Sequence, residues 1–253
     1  MDHDNILAKL REIAGQSFEN LNILEEQIDV NLQMAYFDFV KRIRNEFKPG
    51  EGLENTEKLF DKNTPDEEKK KILVLLASSE DVSSYRTIEK YLKDPDPGLK
   101  EWAILAFQES RMLLESSLLD ENQIFISTGL GGKGSKLRYF IVLLPKTSKK
   151  LNETQQKIVK NEYDYLMKEH DVELEKINFF NKYVTMTMLI PLQVDIYSLI
   201  NNGIKECNQF GDFLEKNFIV TNVKKLKVKE IDEFIKKNDQ MKTDGDEPDK
   251  FIE

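Results

Sequence analysis

Long apolar runs are missing from this chain of 253 residues: the longest, Ile72 to Ala77, falls far short of the ~20 residues a membrane-spanning helix needs. Cysteine is nearly absent. The single thiol, Cys207, excludes an internal disulfide framework and fits a reducing compartment, so a cytoplasmic location is expected. There are only two histidines, His3 and His170, and no Cys/His spacing of a metal site, so no metal is expected. The N-terminus opens with Asp2 and Asp4 and lacks a basic-then-apolar signal pattern, which predicts no export. What is present is a globular composition: 40% hydrophobic residues, enough for a core, and 33% charged residues, enough for an extensive solvated surface.

The charge is acidic overall, at −9, but unevenly spread. Residues 1–120 hold 16 Lys and Arg against 25 Asp and Glu, whereas residues 121–253 hold 21 of each. An acidic protein is a poor non-specific nucleic-acid binder, because phosphate neutralisation needs clustered cations. The balance points instead to a protein partner on the acidic helical surface, a basic one by charge, whose identity the sequence does not give.

The first half reads as helices. Ile6, Leu7, Leu10 and Ile13, then Leu21, Leu24, Ile28, Leu32, Tyr36, Phe39, Val40 and Ile43, recur at spacings of three and four and predict helix over 4–47, stopped by Pro49-Gly50. Thr64-Pro65-Asp66-Glu67 has the form of a helix start, and the prolines of Asp94-Pro95-Asp96-Pro97 end a second helix. A third starts near Leu99. Shifting the sequence by 31 places superposes Ile72, Leu73, Leu75 and Leu76 on Ala103, Ile104, Ala106 and Phe107, a period that signals a helical repeat.

The stretch from Tyr85 through Asp94-Pro95-Asp96-Pro97 to Trp102-Ala103-Ile104-Leu105-Ala106-Phe107 resembles a HEAT-type repeat of the short bacterial form. The resemblance covers residues 64–116 and implies stacked helix pairs forming a scaffold, with no chemistry of its own. It departs from the family pattern at Trp102, where a polar residue is common. Fewer than three repeats are visible, so the N-terminal helices are expected to cap the stack.

From residue 122 the period changes to two. Gln123–Ser127, Lys136–Leu144, Val172–Phe180, Tyr183–Ile190 and Phe218–Val223 are strand-like, with helices expected over 152–170, 195–207 and 228–237. The order from residue 136 is β-α-β-β-α-β plus a last helix, which resembles a ferredoxin-like sandwich. Gln123–Ser127 would add a hairpin strand to the first core strand. Thus the expected fold is α+β: a helical HEAT-like domain over 1–118, a ferredoxin-like α/β domain over 122–237 and an acidic disordered tail over 238–253.

Gly129-Leu130-Gly131-Gly132-Lys133-Gly134 is the most unusual segment. Its glycines would let backbone amides approach an anion, and Lys133, Lys136 and Arg138 would add charge. Three readings stand: a mobile hairpin tip, a partner-contacting loop, or a phosphate site. The P-loop pattern fails, because Gly134 follows Lys133 and a strand follows where a helix is required, and Rossmann spacing fails too, so no cofactor is expected. Lysines at 146, 149, 150, 224, 225, 227 and 229 could extend a basic face or simply be solvated. The strand Tyr183–Ile190 lacks the aromatic RNA-recognition signature. His170 beside Glu169 and Asp171 reads as a helix-end histidine, Cys207 as a buried thiol, Trp102 as core and Phe37 as a possible contact residue. No nucleophile elbow or acid/base couple stands out. The sequence therefore leads to a non-enzymatic interaction protein that uses its helical surface. A regulatory protein that binds a phosphorylated ligand or RNA through the glycine loop is the alternative.

Overall fold

The computed structural model describes residues 21–48, 51, 53–54, 56–119, 123–147 and 149–244, with side chains up to residue 236. The expected helix over 4–20 and its stop at Pro49-Gly50 lie outside the described residues. The chain is of mixed α and β structure and divides into two compact units. Among the described residues, the first holds 21–24 and 28–127, and the second holds 25–27 and 128–244.

The first unit contains β1 (Leu21–Ile23), α1 (Val30–Glu46), a 3-10 turn (Thr56–Phe60), α2 (Asp66–Ala77), α3 (Val82–Tyr91), α4 (Lys100–Leu119) and β2 (Ile124–Ile126). Leu21 to Ile28 were expected on a helix, and the structure corrects this. The Asp29 carboxylate accepts the Asn31 N–H at 2.9 Å and starts α1 at Val30. Leu24 and Ile28 are fully buried from irregular chain, so apolar spacing alone had imitated a helix. The expected hairpin between Gln123–Ser127 and the first core strand is also corrected. β2 pairs in parallel with β1, Leu21 opposite Ile124 and Ile23 opposite Ile126.

Helices α2, α3 and α4 pack around Leu73, Leu76, Ile88, Ala103 and Ala106, joined by Tyr36 and Val40 from α1. Each fully buried leucine in such a core contributes about 1.5–3 kcal/mol relative to exposure. Trp102 meets Tyr36 and Phe39 edge-on, with ring centroids 5.1 and 5.4 Å apart. The double-proline turn is anchored by Asp96, which accepts hydrogen bonds from Lys69 Nζ and Tyr91 Oη, both at 2.6 Å. Lys69 is a buried cation, and its bond is the main reason the Asp96 carboxyl is held below its ordinary value of 3.8.

The second unit contains β3 (Gly132–Lys133), β4 (Lys136–Pro145), α5 (Glu153–Glu169), β5 (Glu173–Phe179), β6 (Val184–Pro191), α6 (Ile196–Gln209), β7 (Leu214–Thr221) and α7 (Val228–Asp244). The four long strands are antiparallel, in the order β7-β4-β6-β5, and β3 forms a two-residue ladder with β4. Register puts Tyr139, Ile141 and Leu143 beside Met188, Met186 and Val184 on one face. That face carries α6, whose Tyr197 ring lies 5.1 Å from Phe218. Asn152 and Gln155 form a reciprocal capping box at the start of α5. A Cβ at Gly203 would sit 2.4 Å from the Tyr163 ring, so glycine is what lets α6 approach α5 this closely.

The other sheet face is covered as well. Phe140, Val142 and Ile219 pack with Ile231 of α7, and β6 is buried along its whole length. Helix α7 runs to Asp244, past the expected end at 237, so the first part of the expected disordered tail is helical. Residues 245–253 lie outside the described residues. No described helix is long and apolar enough to cross a membrane.

Candidate functional site

The glycine-rich loop is not a free tip throughout. Gly129, Leu130, Gly131 and Gly132 are buried, while Lys133, Gly134 and Ser135 are exposed. Gly131 has φ +66°, and a Cβ there would lie 2.4 Å from the Glu25 carbonyl oxygen and 2.5 Å from that of Glu26. Both the left-handed backbone and the close approach demand glycine. Gly134, with φ +57°, occupies the turn between β3 and β4, and its N–H donates to Glu25 Oε1 at 2.9 Å. The anion on this loop is thus a carboxylate of the chain itself.

The cations expected to help an anion are brought together, but each faces acid. Lys136 Nζ lies 3.0 Å from Asp171 Oδ1 and 2.8 Å from Glu173 Oε1, and Lys133 Nζ lies 3.6 Å from Glu173. Arg138 donates to both carboxylate oxygens of Glu175, at 2.6 and 2.9 Å, and to the Leu130 carbonyl at 2.8 Å. The hydrogen bond from Lys136 leads in holding the Glu173 carboxyl below its usual range, and that from Arg138 does the same for Glu175. Farther along, Lys146 pairs with Asp212 and Lys224 with Glu230, while Lys149 and Lys150 are exposed.

A second place was not singled out from sequence. On the helical unit, α1 and α4 border a cavity of about 460 Å³, walled by Phe37, Val40, Leu105, Met112, Leu113 and Phe125. Lys41, Arg44 and Asn45 stand at its open side, and Glu109 is buried beneath. Glu109 accepts from Tyr36 Oη and, at 2.6 Å, from Arg44 Nη2. Burial raises the Glu109 carboxyl above its ordinary value of 4.5, and burial likewise pushes Tyr36 up. A smaller cavity of about 230 Å³ shares Arg44 and adds Lys48, Leu75 and Glu80. The signal available in sequence was an acid, Glu109, at helical spacing from the apolar Trp102, Leu105 and Ala106, where another apolar residue belongs.

The remaining candidates separate. His170 is exposed and closes α5. Cys207 is fully buried in α6, and burial pushes its thiol up to about 12. Trp102 is core, whereas Phe37 is partly exposed beside the larger cavity. Among the described residues, no group of three or more His, Cys, Asp or Glu is placed to hold a metal ion.

No protein-family model matches the chain, and no curated protein matches it. Among solved structures, it is similar to a REP-associated tyrosine transposase bound to a REP hairpin, at 11% identity and a TM-score of 0.31. The match covers 39% of this chain and 61% of that one. So shallow a likeness carries no argument about fold or function.

Proposed function

We propose that this is a non-enzymatic interaction protein of the cytoplasm, in which a HEAT-like helical unit presents a docking surface and a ferredoxin-like sheet unit accompanies it. The observation that carries this reading is the open cavity between α1 and α4, apolar along its walls and cationic along its edge. The ionisable groups beneath it are engaged with one another, Tyr36 and Arg44 both on Glu109. That arrangement serves position more than chemistry. The repeat-like succession of α2, α3 and α4 and the β7-β4-β6-β5 strand order favour the two family resemblances.

The test is retention of partners by the immobilised full chain from source lysate, with a Phe37→Asp variant alongside. Specific proteins held by the wild type and released by the variant are expected. Recovery of nothing above background would count heavily against the reading.

A second reading keeps the glycine loop as an anion site, because the Gly134 amide does hold a carboxylate. A phosphorylated ligand or RNA would have to displace Glu25 and compete with Glu173 and Glu175. A salt-sensitive melting shift with such a ligand, lost on changing Lys133, Lys136 and Arg138 to Ala, would support it.

A further inference from the structure

We infer that the groove between α1 and α4 receives an amphipathic helix of a partner protein, one with an apolar stripe and acidic residues at one end. The inference rests on the interaction reading above and names the chemistry of the partner.

The first observation is a stripe. Met34, Phe37, Lys41 and Arg44 follow one another at spacings of three, four and three, which keeps them on one face of α1. Met34 is 60% exposed and Phe37 41% exposed, so this face carries uncovered apolar surface at its N-terminal end. Across the groove, Leu105, Glu109 and Met112 repeat the spacing on α4. Two helix faces so arranged leave a trough that a third helix can fill with side chains at i, i+3, i+4 and i+7. From Phe37 to Arg44 the lining of α1 runs about 10 Å at the α-helical rise, two turns of a docked helix, with Phe125 of β2 walling it beside Phe37 and Met34 lying one turn beyond.

The second observation is charge. The half of the chain that contains this groove is strongly acidic, net −9 over residues 1–120. Yet along the two linked cavities Lys41, Arg44 and Lys48 outnumber Glu80 and Glu109. Glu109 engages Arg44, which stays 48% exposed, while the exposed Lys41 beside the larger cavity and the exposed Lys48 beside the smaller one stand at the two ends of this cationic edge. An acidic end on the incoming helix complements them, and a basic end is repelled.

The probe is a fluorescein-labelled synthetic helix of about 18 residues, long enough to hold helical structure when docked. It carries leucines at i, i+3, i+4 and i+7 and glutamates at one end. A twin has lysine for each glutamate, and another has two central prolines. The full chain should bind the acidic helix about tenfold more tightly than the basic one at low salt, with the gap closing as salt rises. Lys41→Glu with Lys48→Glu should reverse the preference. Met34→Asp, at an exposed position, should weaken both, with far-ultraviolet circular dichroism confirming an intact fold.

Equal binding of acidic and basic helices overturns the inference. So does wild-type affinity in these variants, or undiminished binding of the proline twin. If the acidic helix binds only a chain lacking residues 1–20, the groove belongs to that segment and the inference is overturned in its favour. Lysate partners retained equally by the wild type and the Met34→Asp/Lys41→Glu/Lys48→Glu variant would sink this groove while leaving the interaction reading intact.

Discussion

The two units bury polar groups differently. The helical unit buries Gln33, Thr64, Lys69, Ser78, Ser84, Gln108, Glu109 and Ser110, two of them ionisable and both in ion pairs. Among the described residues, the sheet unit buries Thr185, Thr187 and Thr221 as its polar groups, and the most buried cations of its ion pairs, Lys136 and Arg138, keep 12% of their side chains exposed against 2% for Lys69. The contrast has a physical source. Strands are aligned by backbone ladders, such as the eight residue pairs that join β4 and β6, so register needs no polar side chain. Helices satisfy their backbones internally and meet only through side chains, so their packing follows ridge-and-groove tendencies with scatter and no backbone ladder sets the register. A half-buried pair such as Lys69–Asp96, its lysine buried and its carboxylate 32% exposed, fixes which turn faces which, a registry role that polar groups fill in other helical assemblies.

The largest effect should come from breaking that pair. Asp96→Ala leaves Lys69 buried without its counter-charge and should lower the stability of the helical unit by about 3 kcal/mol, read by urea denaturation. Adding Lys69→Met should recover most of the loss. No recovery would show that Asp96 acts through the turn and not through the charge. In the wild type the pair's contribution is fully present above the unfolded carboxyl value of 3.8 and is lost as pH falls through the lower folded value.

On the sheet side, Gly203→Val drives side-chain atoms into the Tyr163 ring and should cost about 1–3 kcal/mol, seen as early melting of α5 and α6 by hydrogen exchange. Arg44→Met should cost about 1–2 kcal/mol at neutral pH, because Glu109 keeps only Tyr36. The sign with pH is opposite to that of Asp96. Burial raises the Glu109 carboxyl, so its ionisation opposes folding, and the penalty in this variant should shrink as acidification protonates it. A penalty that grows on acidification would refute this account of Glu109. The smallest effect belongs to the sheet unit's surface: Asp212→Asn, which unpairs a solvated Lys146, should change stability by less than about 0.5 kcal/mol.

How much could be read in advance follows the same divide. Strands β4 and β6 were visible because alternating Val, Ile, Met and Tyr leave few other options, and α5 because Asn152 and an apolar stripe mark it. Leu21–Ile23 was misjudged because a three-residue strand depends on β2, about a hundred positions later in the chain. Covering of the sheet's second face depended on where α7 lands, which no local pattern encodes. The glycine loop stood out as unusual, but its occupant, Glu25, lies 109 residues from Gly134. The groove needed Arg44 and Glu109 to meet across 65 residues, and no motif joins them.

The approach of Glu25 and Glu26 to Gly131 bears on how the protein could be divided. The chain enters the sheet unit at residue 25, leaves it at 27 and returns for good at 128. A single cut near residue 122 would therefore yield a C-terminal fragment without the short stretch that lies over Gly131 and occupies the Gly134 amide. The missing piece is made early in synthesis and must wait for more than a hundred later residues before its seat exists. Separate expression of the two halves should leave the β3–β4 turn bare, and a peptide spanning Glu25–Gln27 is the natural complement to add back.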